Sequence, residues 1–250
     1  CPNEQSCPPQ VKGRIQHFIS RKAMDIDGIG SETVDQLVEA GLIHNYADLY
    51  DLHYEQIIPL ERMAEKSAKN LLEGIEMSKQ IPFERVLFAL GIRYVGETVA
   101  KKLARHYKSM EALMTMPELT EIQNSDLFSE TLTERSRSEA EKLKQLSDVP
   151  EIGERIAESV VEFITDPENR ALIDRMKSAG LQFSLSEEQL ANSSTALQGK
   201  SFVISGVFEM SRNDLKKAIE DNGGKVSSSL SSKTDYLIRG ENMGPSKLEK

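Results

Sequence analysis

A short pattern that occurs four times before residue 161 constrains the fold more than any other feature of the sequence. Each copy has an apolar residue, then a small anchor residue, with small or apolar residues four and seven positions after the anchor. The copies, numbered hairpins 1 to 4, are Ile29-Gly30 with Val34 and Leu37, Met63-Ala64 with Ala68 and Leu71, Val95-Gly96 with Ala100 and Leu103, and Ile152-Gly153 with Ala157 and Val160. Because such positions share one face of a helix, each copy predicts a helix, a tight turn and a second helix.

The anchors have a possible chemical role as well as a structural one. A glycine there permits positive φ and leaves backbone N–H groups uncovered at the start of the second helix. The positive end of the helix dipole at the same place favours an anion such as a phosphate. The alternative interpretation is a helical bundle that uses glycine turns only for compactness.

Several segments fall outside the repeat. The anchors are separated by 34, 32 and 57 residues, so the last interval contains an insertion, predicted over about residues 120–147 as exposed and with a charged helix. One more amphipathic helix is predicted over residues 167–182. We therefore predict a helix-hairpin-helix region over residues 21–184 and a polar linker over residues 185–196.

The hydrophobic period changes from 3.6 to 2 after the linker. Short apolar runs at residues 201–206, 225–227 and 235–240 predict strands, and residues 212–222 predict a helix between the first two. A strand, helix and strand joined by a crossover of this length indicate a parallel α/β sheet. The predicted fold class is mainly α, with four helix-hairpin-helix units followed by a truncated α/β domain over residues 197–250.

At first the charge balance argues against binding to nucleic acid, because the net charge of the 250-residue chain is −9. The charge is unevenly distributed, however: residues 120–192 carry −8 and residues 11–119 carry only −2. No apolar run approaches the roughly 18 residues that a membrane span requires. A cytoplasmic protein without a membrane partner is expected.

Glycines and cations around the hairpins are the candidate phosphate ligands. A phosphate could dock on backbone N–H groups and nearby cations without any base being read. Taken singly, each cation could equally be an ordinary solvated surface residue. Four hairpins together favour the interpretation that the cations bind DNA. The candidates are Arg21, Lys22, Gly28, Gly30, Lys66, Gly91, Arg93, Gly96, Lys101 and Gly153.

Two cysteines, Cys1 and Cys7, have the spacing of half a tetrahedral thiolate zinc site. No second cysteine pair exists in the chain, so the other two ligands would come from elsewhere. Residues 1–20 are therefore predicted to be the C-terminal half of a zinc finger.

Longer segments resemble one enzyme family. The segments that carry the resemblance are residues 17–30, residues 60–68, the sequence LFALGIRYVGET at residues 87–98, and residues 199–206 with 234–241. The first three resemble the region that follows the zinc finger in bacterial NAD-dependent DNA ligases. The last resembles the terminal BRCT domain of that family, and the resemblance covers nearly the whole chain in the same order.

The resemblance implies a role in sealing nicks during DNA replication and repair. The family adenylylates a lysine of a K-x-D-G motif from NAD, transfers AMP to the 5′-phosphate and lets the 3′-hydroxyl attack. No K-x-D-G motif or OB domain is recognised here, so no catalytic residue is expected, and NAD and magnesium would bind outside this chain. We expect an inactive monomeric fragment that clamps nicked duplex DNA, independently of base sequence, in the bacterial nucleoid.

Three departures from the family pattern matter. Ala64 replaces the usual glycine of hairpin 2, and hairpin 4 has Pro150-Glu151 in its turn, so these two hairpins are predicted to be structural. The predicted BRCT domain is expected to lack its last strand and helix. Ser205, Gly206 and Lys247 match the phosphate-binding positions of some BRCT domains, although Ser205 equally suits a strand-end turn.

A non-enzymatic DNA-repair scaffold that combines the same two modules is the rival hypothesis. The sequence upstream of Cys1 would distinguish the two, because a K-x-D-G motif and a first cysteine pair would indicate a ligase.

Overall fold

The chain forms two compact units. The computed structural model describes residues 7–115, 134–149, 151–192, 196–197, 199–232 and 234–241. The first unit ends at Leu185 and the second begins at Ser186. This division agrees with the start of the predicted linker, but residues 187–192 of that linker form a helix. No helix among the described residues is long and apolar enough to cross a membrane.

The first unit is helical. Its helices are α1 (Pro8–Ile19), α2 (Ser31–Glu39), α3 (Tyr54–Ile57), α4 (Glu65–Ser78), α5 (Phe83–Ala89), α6 (Glu97–Tyr107), α7 (Met110–Met114), α8 (Glu134–Ser147), α9 (Glu154–Thr165) and α10 (Pro167–Ser178), with a 3₁₀ turn at Tyr46–Asp51. The helix pairs that contact each other across the four predicted turns are α1 with α2, α3 with α4, α5 with α6, and α8 with α9. The predicted helix-hairpin-helix units are thereby confirmed.

The repeat residues predicted to face the core do so in every hairpin. The residues four and seven positions after each anchor are Val34, Leu37, Ala68, Leu71, Ala100, Leu103, Ala157 and Val160, all with 0% exposure. Truncating a buried leucine at such a site costs about 2–5 kcal/mol, because a cavity remains as well as the lost transfer free energy. The repeat is thus the framework of one continuous core.

Two helices belong to the core of the helical unit, although the sequence assigned their segments to a zinc finger and to an exposed insertion. Residues 8–19, assigned to a zinc finger, form α1, whose Ile15 and Phe18 are fully buried in the core of the helical unit. Residues 134–147, predicted as a charged helix within an exposed insertion, do form a helix, α8, but it is the first helix of hairpin 4. Its last turn carries Leu146, which is also fully buried. In both segments a few apolar residues at the correct spacing outweigh a polar composition.

The second unit contains a parallel sheet, as predicted. Its elements are α11 (Glu187–Asn192), β1 (Ser201–Ser205), α12 (Arg212–Asp221), β2 (Lys225–Ser227) and β3 (Tyr236–Arg239). Among the described residues the strand order is β2-β1-β3, and β1 pairs in parallel with both neighbours. Phe202, Ile204 and Ile219 form its small core between the sheet and α12.

An ion-pair cluster joins the 3₁₀ turn to α10 within the helical unit. The Asp48 carboxylate accepts hydrogen bonds from the backbone N–H groups of His44 (2.7 Å) and Asn45 (3.0 Å) and from Arg175 Nη2 (2.8 Å). Arg175 also donates to Asp51 at 2.6 Å. Burial alone would raise the pKa of Asp48, but these hydrogen bonds outweigh burial and lower the pKa below its ordinary value.

We expect Asp48→Asn to lower the free energy of unfolding at pH 7 by about 1–2 kcal/mol, because an amide loses the charge-assisted bonds. A lowered folded-state pKa stabilises the protein above the unfolded pKa, and this contribution disappears as the pH falls through the folded value. The difference between wild type and variant in urea unfolding should therefore shrink below about pH 4. Asp51→Asn is the control, since its side chain is 69% exposed. An equal loss in both variants, or a difference independent of pH, would contradict this account.

Candidate nucleic-acid interface

The four anchors have nearly the same backbone geometry. Each is the N-cap residue of the second helix of its hairpin, and none caps that helix with a side chain. The φ values are −91° at Gly30, −83° at Ala64, −83° at Gly96 and −80° at Gly153. The expectation of positive φ at the anchors is therefore wrong, and an alanine fits the same conformation without strain. Because no N-cap side chain binds them, the first N–H groups of all four helices remain available to an anion.

The left-handed residue of each hairpin lies two positions before the anchor. The φ values are +86° at Gly28, +60° at Arg62, +64° at Tyr94 and +68° at Glu151. In hairpins 2, 3 and 4 the turn is closed by a backbone bond from the residue before the anchor, as from Val95 N to Ile92 O at 3.0 Å. Sequence reasoning missed this regularity because three of the four residues are not glycine.

Hairpins 1 and 2 interlock through their backbones. A Cβ built on Gly74 of α4 would lie 2.3 Å from the Asp27 carbonyl oxygen, and one on Gly28 would lie 3.1 Å from the backbone of Leu71. The main chain of the hairpin 1 turn thus rests directly on α4. Gly28, predicted to bind DNA, is required for this packing.

Polar contacts connect hairpins 1, 3 and 4. Arg85 of α5 donates to the carbonyl oxygen of Arg21 at 2.6 Å. Lys22 pairs with Glu97, the first residue of α6, at 2.8 Å. Lys102 of α6 forms an ion pair with Glu151 in the turn of hairpin 4. With the interlock of hairpins 1 and 2, these contacts join all four hairpins into one scaffold.

The predicted glycines divide into two groups. A Cβ on Gly30, Gly96 or Gly153 would meet no atom within 4 Å, so the surface at these anchors is open to a ligand backbone. Gly91, in contrast, follows the end of α5 with φ +71°, and a Cβ there would contact His17 at 3.6 Å. Gly91 therefore ends a helix before the turn, whereas the three anchors remain candidates for phosphate contact.

The predicted cations also differ in their surroundings. Arg21, Lys66 and Arg93 are exposed, and no ion pair is formed by any of them within the described part of the chain. Lys22 is paired with Glu97, and Lys101 is half-buried on α6.

Sequence reasoning missed Arg155. It is exposed, and it follows anchor Gly153 by two positions, as Lys66 follows anchor Ala64. Aligning the four repeats on their anchors would have revealed it. Hairpins 2 and 4, predicted to be merely structural, therefore each present a cation beside an uncapped helix N-terminus.

In the second unit, Gly206 has a clear structural function. It has φ +108°, and a Cβ there would lie 2.7 Å from the backbone of Gly240. The chain leaving β1 thus contacts the end of β3, where Gly240 N donates to Ser205 O at 2.8 Å. Ser205 is 6% exposed. Lys247 lies outside the described residues, so the phosphate site at Ser205, Gly206 and Lys247 stays a prediction.

Of the two predicted zinc ligands, only Cys7 is described. It is half-buried and precedes α1, and its carbonyl oxygen accepts hydrogen bonds from Gln10 and Val11. Cys1 lies outside the described residues. Within the described ranges no group of three or more His, Cys, Asp or Glu side chains could hold a metal ion, so zinc binding remains a prediction that rests on Cys1 and Cys7.

Family comparisons agree with this architecture. The model "Helix-hairpin-helix motif" matches residues 85–124 and 136–173, and "SAM-like Helix-hairpin-helix tandem" matches residues 20–77. The model "BRCA1 C Terminus (BRCT) domain" matches residues 192–250.

Curated relatives match over the entire chain. Proteins named DNA ligase are 61% identical in Christiangramia forsetii, 57% in Flavobacterium psychrophilum and 51% in Bacteroides fragilis. Each alignment covers 100% of this chain and 34% of the relative, so the chain spans about a third of their length. On this identity, and with hairpin and BRCT family models matching this chain, the chain belongs to the bacterial DNA ligases, as a C-terminal portion of such an enzyme.

Proposed function

We propose that this chain is the part of an NAD-dependent DNA ligase that holds nicked duplex DNA while other parts of the enzyme seal the break. The observation that supports the proposal is the set of four helix N-termini without side-chain caps, joined in one scaffold and accompanied by exposed cations. Because the relatives are named DNA ligase, they support a ligase over a non-enzymatic repair scaffold.

The proposed contacts are to the DNA backbone. A helix N-terminus offers N–H donors and a partial positive charge of about half a unit, which suits a phosphate oxygen but carries no information about the base. Arg21, Lys66, Arg93 and Arg155 would add full charges around these sites. Binding of this kind is independent of base sequence, and a net charge of −9 does not prevent it, because residues 11–119, which contain hairpins 1 to 3, carry only −2.

The chemistry itself would use residues outside this chain. The lysine that accepts AMP from NAD belongs to a K-x-D-G motif, which this sequence does not contain. We therefore expect the isolated chain to bind nicked DNA without sealing it. Its contribution to the reaction would be to fix the duplex, so that the 3′-hydroxyl and the 5′-phosphate stay in line for the attack.

Replacing Gly96 by valine tests the proposed contact at hairpin 3. The site is open in the free protein and its φ of −83° suits valine, so the melting temperature should hardly change. The branched side chain would keep a phosphate from the first N–H groups of α6, and we expect an affinity loss of about tenfold for nicked duplex. Fluorescence anisotropy of a labelled duplex at low salt measures the effect.

Ala64→Val is the matched control, because Ala64 has the same φ and already carries a Cβ. We expect a loss of less than about threefold there. Equal losses would contradict a special function of Gly96, and a wild-type chain that does not bind nicked duplex at low salt would contradict the proposal as a whole.

A further inference from the structure

The tip of hairpin 3 differs from the tips of the other hairpins. At the left-handed turn position the others carry Gly28, Arg62 and Glu151, whereas hairpin 3 carries Tyr94. The Tyr94 side chain is 51% exposed. Among the described residues of the helical unit, the other exposed large apolar side chain is Met77 of α4, so an aromatic ring at a hairpin tip is exceptional.

The exposed ring is held in place by its neighbours. The Arg93 guanidinium carbon lies 4.9 Å from the centre of the Tyr94 ring, a cation–π contact. Ile92 and Val95, on either side of the pair, are 4% and 5% exposed and fix the turn to the core. The turn therefore directs one cation and one aromatic face outward together.

Tyr94 occupies this position at a conformational cost. A φ of +64° is unfavourable for a bulky residue, and glycine or asparagine would fit more easily. Neither burial nor a hydrogen bond from the Tyr94 hydroxyl group to another described residue compensates for this cost. A strained, exposed aromatic residue beside an unpaired arginine is typical of a site that receives a ligand.

We propose that Tyr94 and Arg93 form a nucleotide-binding platform, a site that rests on the DNA-holding function proposed above. The Tyr94 ring would pack against the sugar or base face of the nucleotide whose phosphate sits at the N-terminus of α6, two residues along the chain from the ring. Arg93 would pair with a phosphate of the same strand. Aromatic stacking on nucleotides is indifferent to base identity, because every base has a π face.

Tyr94→Asn separates this function from stability. Asparagine tolerates left-handed backbone, so the melting temperature should stay the same or rise, while the affinity for nicked duplex falls about tenfold. Tyr94→Phe keeps the ring and should bind within about twofold of wild type. Met77→Ala removes the other large apolar side chain that is exposed among the described residues of the helical unit, and it should leave binding unchanged. Unaltered binding by Tyr94→Asn overturns the platform.

A tryptophan at the same position gives a second and direct measurement. The chain contains no tryptophan, so Tyr94→Trp places a single reporter at the hairpin tip. We expect saturable quenching of its fluorescence by nicked duplex. If wild type binds DNA but the emission does not change, the platform is wrong and the proposed function stands; if wild type does not bind DNA, the proposed function itself fails.

Discussion

Raising the salt concentration from 50 to 200 mM is expected to weaken binding of this chain to nicked duplex by about a hundredfold. Each cation that neutralises a phosphate releases condensed counterions, and the logarithm of affinity falls with the logarithm of salt by about 0.9 per contact. The expected size rests on four cations that are exposed beside the hairpin turns and form no ion pair among the described residues, namely Arg21, Lys66, Arg93 and Arg155. Affinities measured by anisotropy at five or six salt concentrations give the slope.

The contribution of a single cation to the salt dependence can be measured in the same experiment. Lys66→Ala should weaken binding to all sequences alike and reduce the slope by about one. Lys79→Ala is the control, because Lys79 follows the C-terminal end of the same helix and pairs with Glu76 at 2.6 Å. A slope near zero for wild type, or the same change of slope in both variants, would contradict backbone binding at the hairpins.

Gly74→Ala should lower the free energy of unfolding by about 2–4 kcal/mol, the second large effect that we expect. The new methyl group would lie 2.3 Å from the Asp27 carbonyl oxygen, and that oxygen belongs to main chain that cannot move without separating hairpin 1 from α4. Urea unfolding followed by circular dichroism measures the loss, and weakened DNA binding should accompany it.

Gly13→Ala provides a control with the opposite sign. Gly13 also lies inside a helix, α1, but a Cβ there would meet nothing within 4 Å. Replacing an exposed helical glycine by alanine usually stabilises a protein by about 0.5–1 kcal/mol. A gain at both positions would show that α4 and hairpin 1 are not in close contact.

The sequence was sufficient to predict the hairpins because their core positions obey a simple period. Positions such as Val34 and Leu37, four and seven residues after an anchor, are apolar and fully buried. The parallel sheet was predictable for the same reason, from apolar runs with a helix between them. The anchors were also found correctly as helix starts, although positive φ, one of the two reasons given for their glycines, does not occur there.

The remaining features depend on contacts between distant segments or on backbone conformation. Left-handed φ at Arg62, Tyr94 and Glu151 has no signature in residue type, since glycine or asparagine would be expected there. The close approach of Gly74 to Asp27 joins residues 47 positions apart, and nothing local indicates it. Arg155 was missed because its neighbourhood is acidic, and only its place within the repeat distinguishes it.

The interlock of hairpins 1 and 2 has a mechanical consequence. Because main chain rests on main chain, the anchors Gly30 and Ala64 cannot change their separation without breaking the packing of Gly74 on Asp27. In the proposed complex, these two anchors would therefore hold two backbone phosphates at a fixed spacing. The DNA of this complex would have to adopt the curvature and groove width that this fixed spacing imposes, and a duplex whose backbone is interrupted would do so at a lower elastic cost. Rigidity of the protein, rather than any reading of bases, would in this way favour a nick over continuous DNA.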